Sequence, residues 1–326
     1  MNHKTILITG GCGAMGSVMI NYFIEKYPTT RFINLDLLTY CGHEKNIFQK
    51  PNYKLYKGNI CNTELVKTIL DIEQPTCIIH LAAETHVDTS FGNSMKFTET
   101  NVLGTHNLLE CVKSYGKLQL FLHMSTDEVY GTVELDDCLK ETANFEPTNP
   151  YAATKVGAEM ICYSYKYSFN LPIIITRCNN IISKFQDSEK LIPRCISCLK
   201  NNERIPVHGN GSSLRTFIDA RDVAYAIETI LINYNKQITN SENKQQWIYN
   251  IGTNSSHEFS VLDVIKHIIS IVKNIDFANI NINDYIKYIE DRPFQDKRYS
   301  IDSTILRNIG WCEKYTFIES VKELLN

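Results

Sequence analysis

Thr5-Ile6-Leu7-Ile8-Thr9-Gly10-Gly11-Cys12-Gly13-Ala14-Met15-Gly16 decides how this chain folds. Five β-branched or apolar residues bounded by glycine read as a short buried strand. Gly10, Gly13 and Gly16 then fall at Gly-x-x-Gly-x-x-Gly spacing, and helical periodicity begins at Ser17 and runs to Tyr27. A tight glycine turn between strand and helix lets the backbone approach a pyrophosphate, with the helix N-terminus facing the anion. Working outward, Phe32 to Asp36 reads as a second strand that ends in an acid, twenty residues after Gly16. An acid at that point accepts hydrogen bonds from both adenosine ribose hydroxyls and repels a 2′-phosphate, which favours NAD over NADP. Further strands are expected at Tyr53–Ile60, Cys77–Ala83, Leu118–Met124 and Ile173–Thr176. Helices are expected at Thr63–Ile72, Thr98–Ser114 and Tyr151–Phe169. This alternation predicts an α/β fold with a doubly wound parallel sheet of the Rossmann type. Right-handed crossovers then bring Gly10, Asp36, Ala82 and Thr126 to one edge, where the ligand belongs.

After Asn180 the alternation weakens, broken by Pro193, Pro206, Gly209 and Gly211. Residues 1–180 are therefore expected to form an NAD-binding domain and residues 181–326 a smaller C-terminal substrate lobe. Segments about 217–232 and 247–251 are expected to return to the first domain, and Lys236 to Gln246 reads as a polar surface loop.

The chain has 326 residues, 43% hydrophobic and 21% charged, ordinary values for a globular protein. A net charge of −3 argues against nucleic-acid binding. No apolar run is long enough to span a membrane, and Met1-Asn2-His3-Lys4 leads straight into a strand without a signal peptide. Eleven cysteines, an odd number scattered through the predicted elements, fit reduced thiols in the cytoplasm. Cys195-Ile196-Ser197-Cys198 is the only Cys-x-x-Cys and lies in a helical pattern, so it reads as packing and no metal site is expected.

Ser125-Thr126-Asp127-Glu128-Val129-Tyr130-Gly131 follows the fifth strand. Tyr151 and Lys155, four residues apart, face the same way on a helix. A strand-end hydroxyl, a tyrosine and a lysine can share one proton network. Two adjacent carboxylates add a general acid and a general base, and their proximity pushes their titrations apart.

These motifs resemble the extended short-chain dehydrogenase/reductase family, and within it the nucleotide-sugar 4,6-dehydratases acting on dTDP-glucose or UDP-glucose. The likeness runs almost end to end. It includes Asn34 to Tyr40, His80 to Asp88, Pro150 to Lys155, Glu189-Lys190-Leu191-Ile192-Pro193 and Asp291-Arg292-Pro293. Asp127-Glu128 is its specific part, absent from related epimerases and decarboxylases. The resemblance implies that Tyr151 removes the C4 hydroxyl proton and that Lys155 favours the phenolate. It gives Thr126 the reacting oxygen, Glu128 the C5 proton, and Asp127 the proton for the departing C6 hydroxyl. Met15, Asn59, Ile60, Leu81, Ala82, Ala83 and Asn101 are implied to line NAD with the glycines, Asp36, Tyr151 and Lys155. His86, Thr126, Asn180, Lys190, Arg215, Asn250 and Arg292 are implied on the substrate side. The family usually reads Tyr-Gly-Pro after Asn180, where this chain has Ile182-Ser183-Lys184.

The expected activity is NAD-dependent 4,6-dehydration of UDP-glucose to UDP-4-keto-6-deoxyglucose, a step toward UDP-rhamnose, by a cytoplasmic homodimer. The lean toward UDP comes from likeness to plant UDP-glucose dehydratases at His86 to Ser94, Asn179 to Ile181 and Arg292 to Asp296. Bacterial dTDP enzymes usually carry Arg at Thr89 and Gly-His at Phe294-Gln295. The alternatives are a dTDP-glucose dehydratase, a nucleotide-sugar 4-epimerase or decarboxylase, and a catalytically idle dinucleotide sensor.

Overall fold

The computed structural model describes residues 3–239, 246–253 and 257–325. Its first half runs β1 (Thr5–Thr9), α1 (Ala14–Lys26), β2 (Arg31–Asp36), β3 (Tyr53–Lys57), α2 (Thr63–Glu73) and β4 (Cys77–His80). Then come α3 (Val87–Gly92), α4 (Ser94–Phe97), a π-helical segment (Thr98–Leu103), α5 (Gly104–Tyr115), β5 (Leu120–Thr126), α6 (Pro150–Phe169) and β6 (Ile173–Cys178). The remainder comprises β7 (Asn180–Ile182), α7 (Leu191–Lys200), β8 (Ile205–His208), β9 (Leu214–Asp219), α8 (Ala220–Thr239) and β10 (Ile248–Ile251). It ends with β11 (Glu258–Ser260), α9 (Val261–Lys273), β12 (Ile286–Ile289), α10 (Thr304–Asn308) and α11 (Phe317–Glu323).

Seven strands form one parallel sheet in the order β10-β6-β5-β4-β1-β2-β3. The order reverses between β1 and β4, and a crevice opens there at the strand C-terminal ends. Strands buried on both faces need apolar residues at successive positions, which is why they read as unbroken runs. Ile6 and Ile8 join the core under α1 and α8, while Leu7 joins the opposite core under α2, α5 and α6. A separate core lies among α7, α9, α11 and strands β8 and β9. There, β11-β9-β7 make a three-stranded sheet and β12-β8 a two-stranded one.

Cys195 and Cys198 both point into that core from α7. Ile248–Ile251 does return to the large sheet, beside β6. The predicted loop from Lys236 is in part helix, since α8 continues to Thr239, and residues 240–245 lie outside the described residues. The predicted third and fourth strands end early, at Lys57 and His80, and the chain beyond them becomes cleft wall. The predicted Thr98–Ser114 helix opens as six residues of π-helix before α5. Asn180–Ile182 forms β7, and the Ser183 hydroxyl donates to the Ala14 carbonyl at 2.9 Å, tying that departing loop to the start of α1.

Candidate active site

The glycine turn is built for close approach. Gly10 has φ +72°, and a Cβ there would sit 2.6 Å from the Ala82 backbone. A Cβ on Gly16 would stand 2.5 Å from the Gly10 carbonyl oxygen. Asp36 closes the turn from β2, its Oδ2 accepting from the Cys12 N–H and its Oδ1 from the Leu38 N–H, each at 2.8 Å. A cavity of about 280 Å³ runs from this cradle along the strand ends to Thr126, Glu128 and Tyr151. Met15 and Gly13 line it near the turn, Asn59 and Ile60 beyond β3, and Leu81, Ala82 and Ala83 beyond β4. The cradle, the strand-end acid and a long slot together fit a dinucleotide.

Two expected cofactor residues lie behind this wall. Asn101, on the π-helical segment, is 1% exposed; it accepts from the Glu84 N–H at 2.8 Å and donates to the Glu84 carbonyl at 3.1 Å. It also donates to Thr154 of α6 at 3.0 Å, so it fixes the loop that forms the wall. Lys155 is 4% exposed and donates to the Met124 carbonyl at 2.7 Å. Its ammonium is bonded to β5 rather than to the Tyr151 phenol, and burial lowers its pKa to about 8.

Tyr151 packs edge-on against Phe97, with ring centroids 6.4 Å apart. Burial drives its pKa up, with the Glu128 charge adding to the rise and a hydrogen bond from Thr126 opposing it. Thr126 ends β5, and its hydroxyl accepts from the Glu128 N–H at 3.3 Å and faces Asp127 Oδ1 at 3.2 Å. Asp127 is 2% exposed, and its Oδ2 accepts from Asn179 at 2.7 Å. Burial pushes its pKa up to about 7, the Asn179 bond opposing and the Glu128 charge reinforcing the rise. Burial also raises Glu128, against a hydrogen bond from Asn149 and the charges of Arg215 and Lys190. The two carboxyls therefore both favour protonation more than ordinary acids, and hold different partners.

A second cavity of about 180 Å³ meets the first at Glu128, Asn180 and Lys190. Lys190, Arg215 and Arg292 line it beside His86, whose pKa burial lowers, so cations gather where a diphosphate would lie. Lys190 donates to the Thr85 carbonyl at 2.8 Å, and burial lowers its pKa. At the junction of the two cavities Asn180 presents a buried amide nitrogen with no hydrogen-bond partner among the described residues. Arg292 grips Asp88 through two nitrogens, at 2.5 and 2.9 Å, bridging the 290s loop to α3.

The structure does not bring Asn250 into either cavity. It is fully buried on β10, donating to the Leu139 and Asp302 carbonyls at 2.9 and 3.1 Å and accepting from Tyr130 at 2.9 Å. Both of its amide hydrogens are engaged, so it has none to donate to a substrate, and it serves to hold the 139 and 302 loops. Conversely, sequence reasoning missed Asn149 and Asn179, which touch the two carboxyls, and Tyr299, whose hydroxyl lies 3.4 Å from Glu128 and donates to Asp296 at 2.6 Å. Asn149 carried a visible signal, because Asn before Pro before a helix reads as an N-cap.

The sequence matches the GDP-mannose 4,6 dehydratase family over residues 7–324. It is 40% identical over 327 residues to a trifunctional UDP-glucose 4,6-dehydratase/UDP-4-keto-6-deoxy-D-glucose 3,5-epimerase/UDP-4-keto-L-rhamnose-reductase of Arabidopsis thaliana. That match covers 99% of this chain and 47% of the plant protein, so the chain spans about half the length of that relative. It is also 40% identical over 360 residues to a dTDP-D-glucose 4,6-dehydratase of Dictyostelium discoideum, covering 98% of this chain and 80% of that one. Among solved structures, a dTDP-glucose 4,6-dehydratase from Bacillus anthracis in complex with NAD superimposes with TM-score 0.84 at 32% identity, covering 98% of this chain and 95% of that chain.

Proposed function

The chain belongs to the GDP-mannose 4,6 dehydratase family, and from that premise we propose that it is an NAD-dependent hydro-lyase that dehydrates a nucleotide-activated glucose, UDP-glucose by preference. The observation that carries this reading is the buried pair Asp127-Glu128: Glu128 lines both cavities where they meet, in the first of them with Tyr151, and Asp127 adjoins it within the wall, held by Thr126 and Asn179.

Gly10, Gly16, Asp36 and the 81–83 wall would hold NAD, with Asn101 fixing the wall from behind. A bound NAD would supply a hydride acceptor at C4 and a hydride donor at C6, the addition at C6 being completed by return of the Glu128 proton to C5. Tyr151 takes the C4 hydroxyl proton, and Thr126 steadies the same oxygen. Since burial keeps the phenol protonated in the protein alone, Lys155 must leave the Met124 carbonyl or act across it to favour the phenolate. A ketone at C4 makes the C5 hydrogen acidic, because the carbanion delocalises into the carbonyl. Glu128 removes that proton. Asp127, whose pKa of about 7 keeps much of it protonated at neutrality, delivers its proton to the departing C6 hydroxyl.

For the base, the reading rests on Phe294 and Gln295. Both line the cation-rich cavity, so these variable positions have access to the substrate. A dTDP-glucose dehydratase is the second reading, supported by the equally similar Dictyostelium relative. Competition between equal UDP-glucose and dTDP-glucose, with products identified by mass spectrometry, decides between them. A higher specificity constant for dTDP-glucose overturns the UDP assignment, and no dehydrated product from either overturns the activity. We propose further that the enzyme works in the cytoplasm as a homodimer, built on the exposed apolar residues of α4, the π-helical segment and α6. Among the described residues no helix is long and apolar enough to cross a membrane.

A further inference from the structure

Glu128 is held by one oxygen. Its Oε2 accepts from Asn149 Nδ2 at 3.0 Å and lies 3.4 Å from the Tyr299 hydroxyl, whereas Oε1 takes no hydrogen bond among the described residues. The Asn149 amide cannot be turned over. Its Oδ1 accepts the Ala152 N–H at 2.9 Å as the N-cap of α6, so the carbonyl end is committed and the NH2 end must face the carboxylate. Pro150 at the first helical position and 7% exposure of Asn149 fix the cap in place. Tyr151 follows two residues later on the same turn.

We propose that Asn149 is a positioning residue for the elimination: it pins Oε2 of Glu128, leaves Oε1 as the oxygen that accepts the proton, and ties the base to the helix that carries Tyr151. The inference rests on the dehydratase reading above. An oxygen already engaged by a donor is the less basic of the two, which directs the proton to the other. The same donor favours the ionised carboxylate that a base must be, against the burial that raises its pKa. Glu128 also faces Arg215 and Lys190, which favour its charge, and Asp127 and Asp296, which oppose it. The Tyr151 and Tyr299 phenols complete its surroundings. Asn149 is the only one of these neighbours that is also a helix cap.

Asn149→Ser and Asn149→Asp test this, because both residues cap helices well and neither can donate an amide N–H to Glu128. The readouts are solvent-deuterium exchange at C5 as a function of pH, and the thermal midpoint. With Asn149→Ser, exchange at pH 7 is expected to fall on the order of tenfold, as for loss of one hydrogen bond to a charged acceptor. Its acid limb should move to higher pH. With Asn149→Asp the limb should move further, since a second carboxylate then faces Oε2. The thermal midpoint should stay near wild type for Asn149→Ser and fall for Asn149→Ala, which loses the cap, while Asn149→Asp should lose stability only as pH rises and the two carboxylates repel. An unchanged acid limb and exchange rate in both capped variants would reduce Asn149 to a helix cap and overturn the proposal. If the wild type dehydrates neither nucleotide-glucose, the activity fails instead. Titration of the Glu128 carboxyl by carbon-13 NMR in the ligand-free protein then decides the inference by itself: an upward shift in both variants upholds the pinning, and no shift overturns it.

Discussion

Asp127 and Glu128 are neighbours in the chain and opposites in their partners. Asn179 donates to Asp127, Asn149 donates to Glu128, and Thr126 stands between the two. Glu128→Gln is expected to leave sugar oxidation in place while C5 exchange falls roughly 100- to 10,000-fold, the usual cost of removing a general base. Exchange at the wild-type rate would place the base elsewhere. Asp127 carries a second consequence. Its pKa in the folded protein is about 7, against an ordinary value near 3.8, so the folded state holds a proton that the unfolded chain releases. The associated stability is fully present below the ordinary value and is lost as pH rises through about 7. Asp127→Asn removes this alkaline penalty. The variant should therefore melt above wild type at pH 8 and lose that advantage by pH 4, with about 2–4 °C gained for each kcal/mol relieved. Melting curves across that pH range test it, and an advantage confined to acid would refute the assignment. The carboxyl pair was legible because adjacency at a strand end is a local pattern. Their amide partners were not, because Asn179 reaches Asp127 from just past the end of β6, the strand beside β5, and no spacing rule encodes that contact.

At the level of elements, α6 is the piece that must not move, since Asn149, Tyr151 and Lys155 all lie at its start. It is anchored to β6 by a buried pair: Arg177 Nη2 meets Glu159 Oε2 at 2.7 Å, with 1% and 0% side-chain exposure. Arg177 spends another nitrogen on the Tyr130 hydroxyl at 2.7 Å and the Glu141 carbonyl at 3.0 Å. The anchor thus fastens the helix that carries Tyr151 to the loop that follows Asp127-Glu128. Glu159→Ala leaves a guanidinium buried without its counter-charge, and should cost about 3–5 kcal/mol in denaturant unfolding. A loss below 1 kcal/mol would mean that water or a rearranged Glu141 takes over the pairing. The sequence made α6 legible through its length, and the strands of the large sheet through their unbroken apolar runs. It did not reveal the π-helical segment, because one extra residue per turn leaves the apolar pattern nearly unchanged over six residues. Nor did it place Asn250, which the family resemblance put on the substrate side although both amide hydrogens go to loop carbonyls and its oxygen accepts from Tyr130.

Across the whole molecule, exposed apolar surface concentrates on one flank. Met95 on α4, Leu103 on the π-helical segment, and Met160 and Tyr167 on α6 are all at least two-fifths exposed, Met95 reaching 76%. Met160 and Tyr167 are seven residues apart, two helical turns, and so share a face. The three segments pack on one another within the chain, which makes these residues one flank rather than scattered points. Large contiguous apolar patches are uncommon on proteins that act alone, and a two-fold contact would bury the flank against its own copy. The flank lies on the outer side of α6, whose inner side carries Tyr151, so pairing would stiffen the catalytic helix from outside without covering either cavity. Sedimentation should report the mass of two 37.4 kDa chains for wild type. Paired charges at the centre, Leu103→Lys with Met160→Lys, should yield the single-chain mass. The variant should also lose thermal stability and activity together, since α6 loses its outer support. Wild type sedimenting as one chain at working concentrations would refute the pairing, and a lysine variant that stays paired would move the interface to another face.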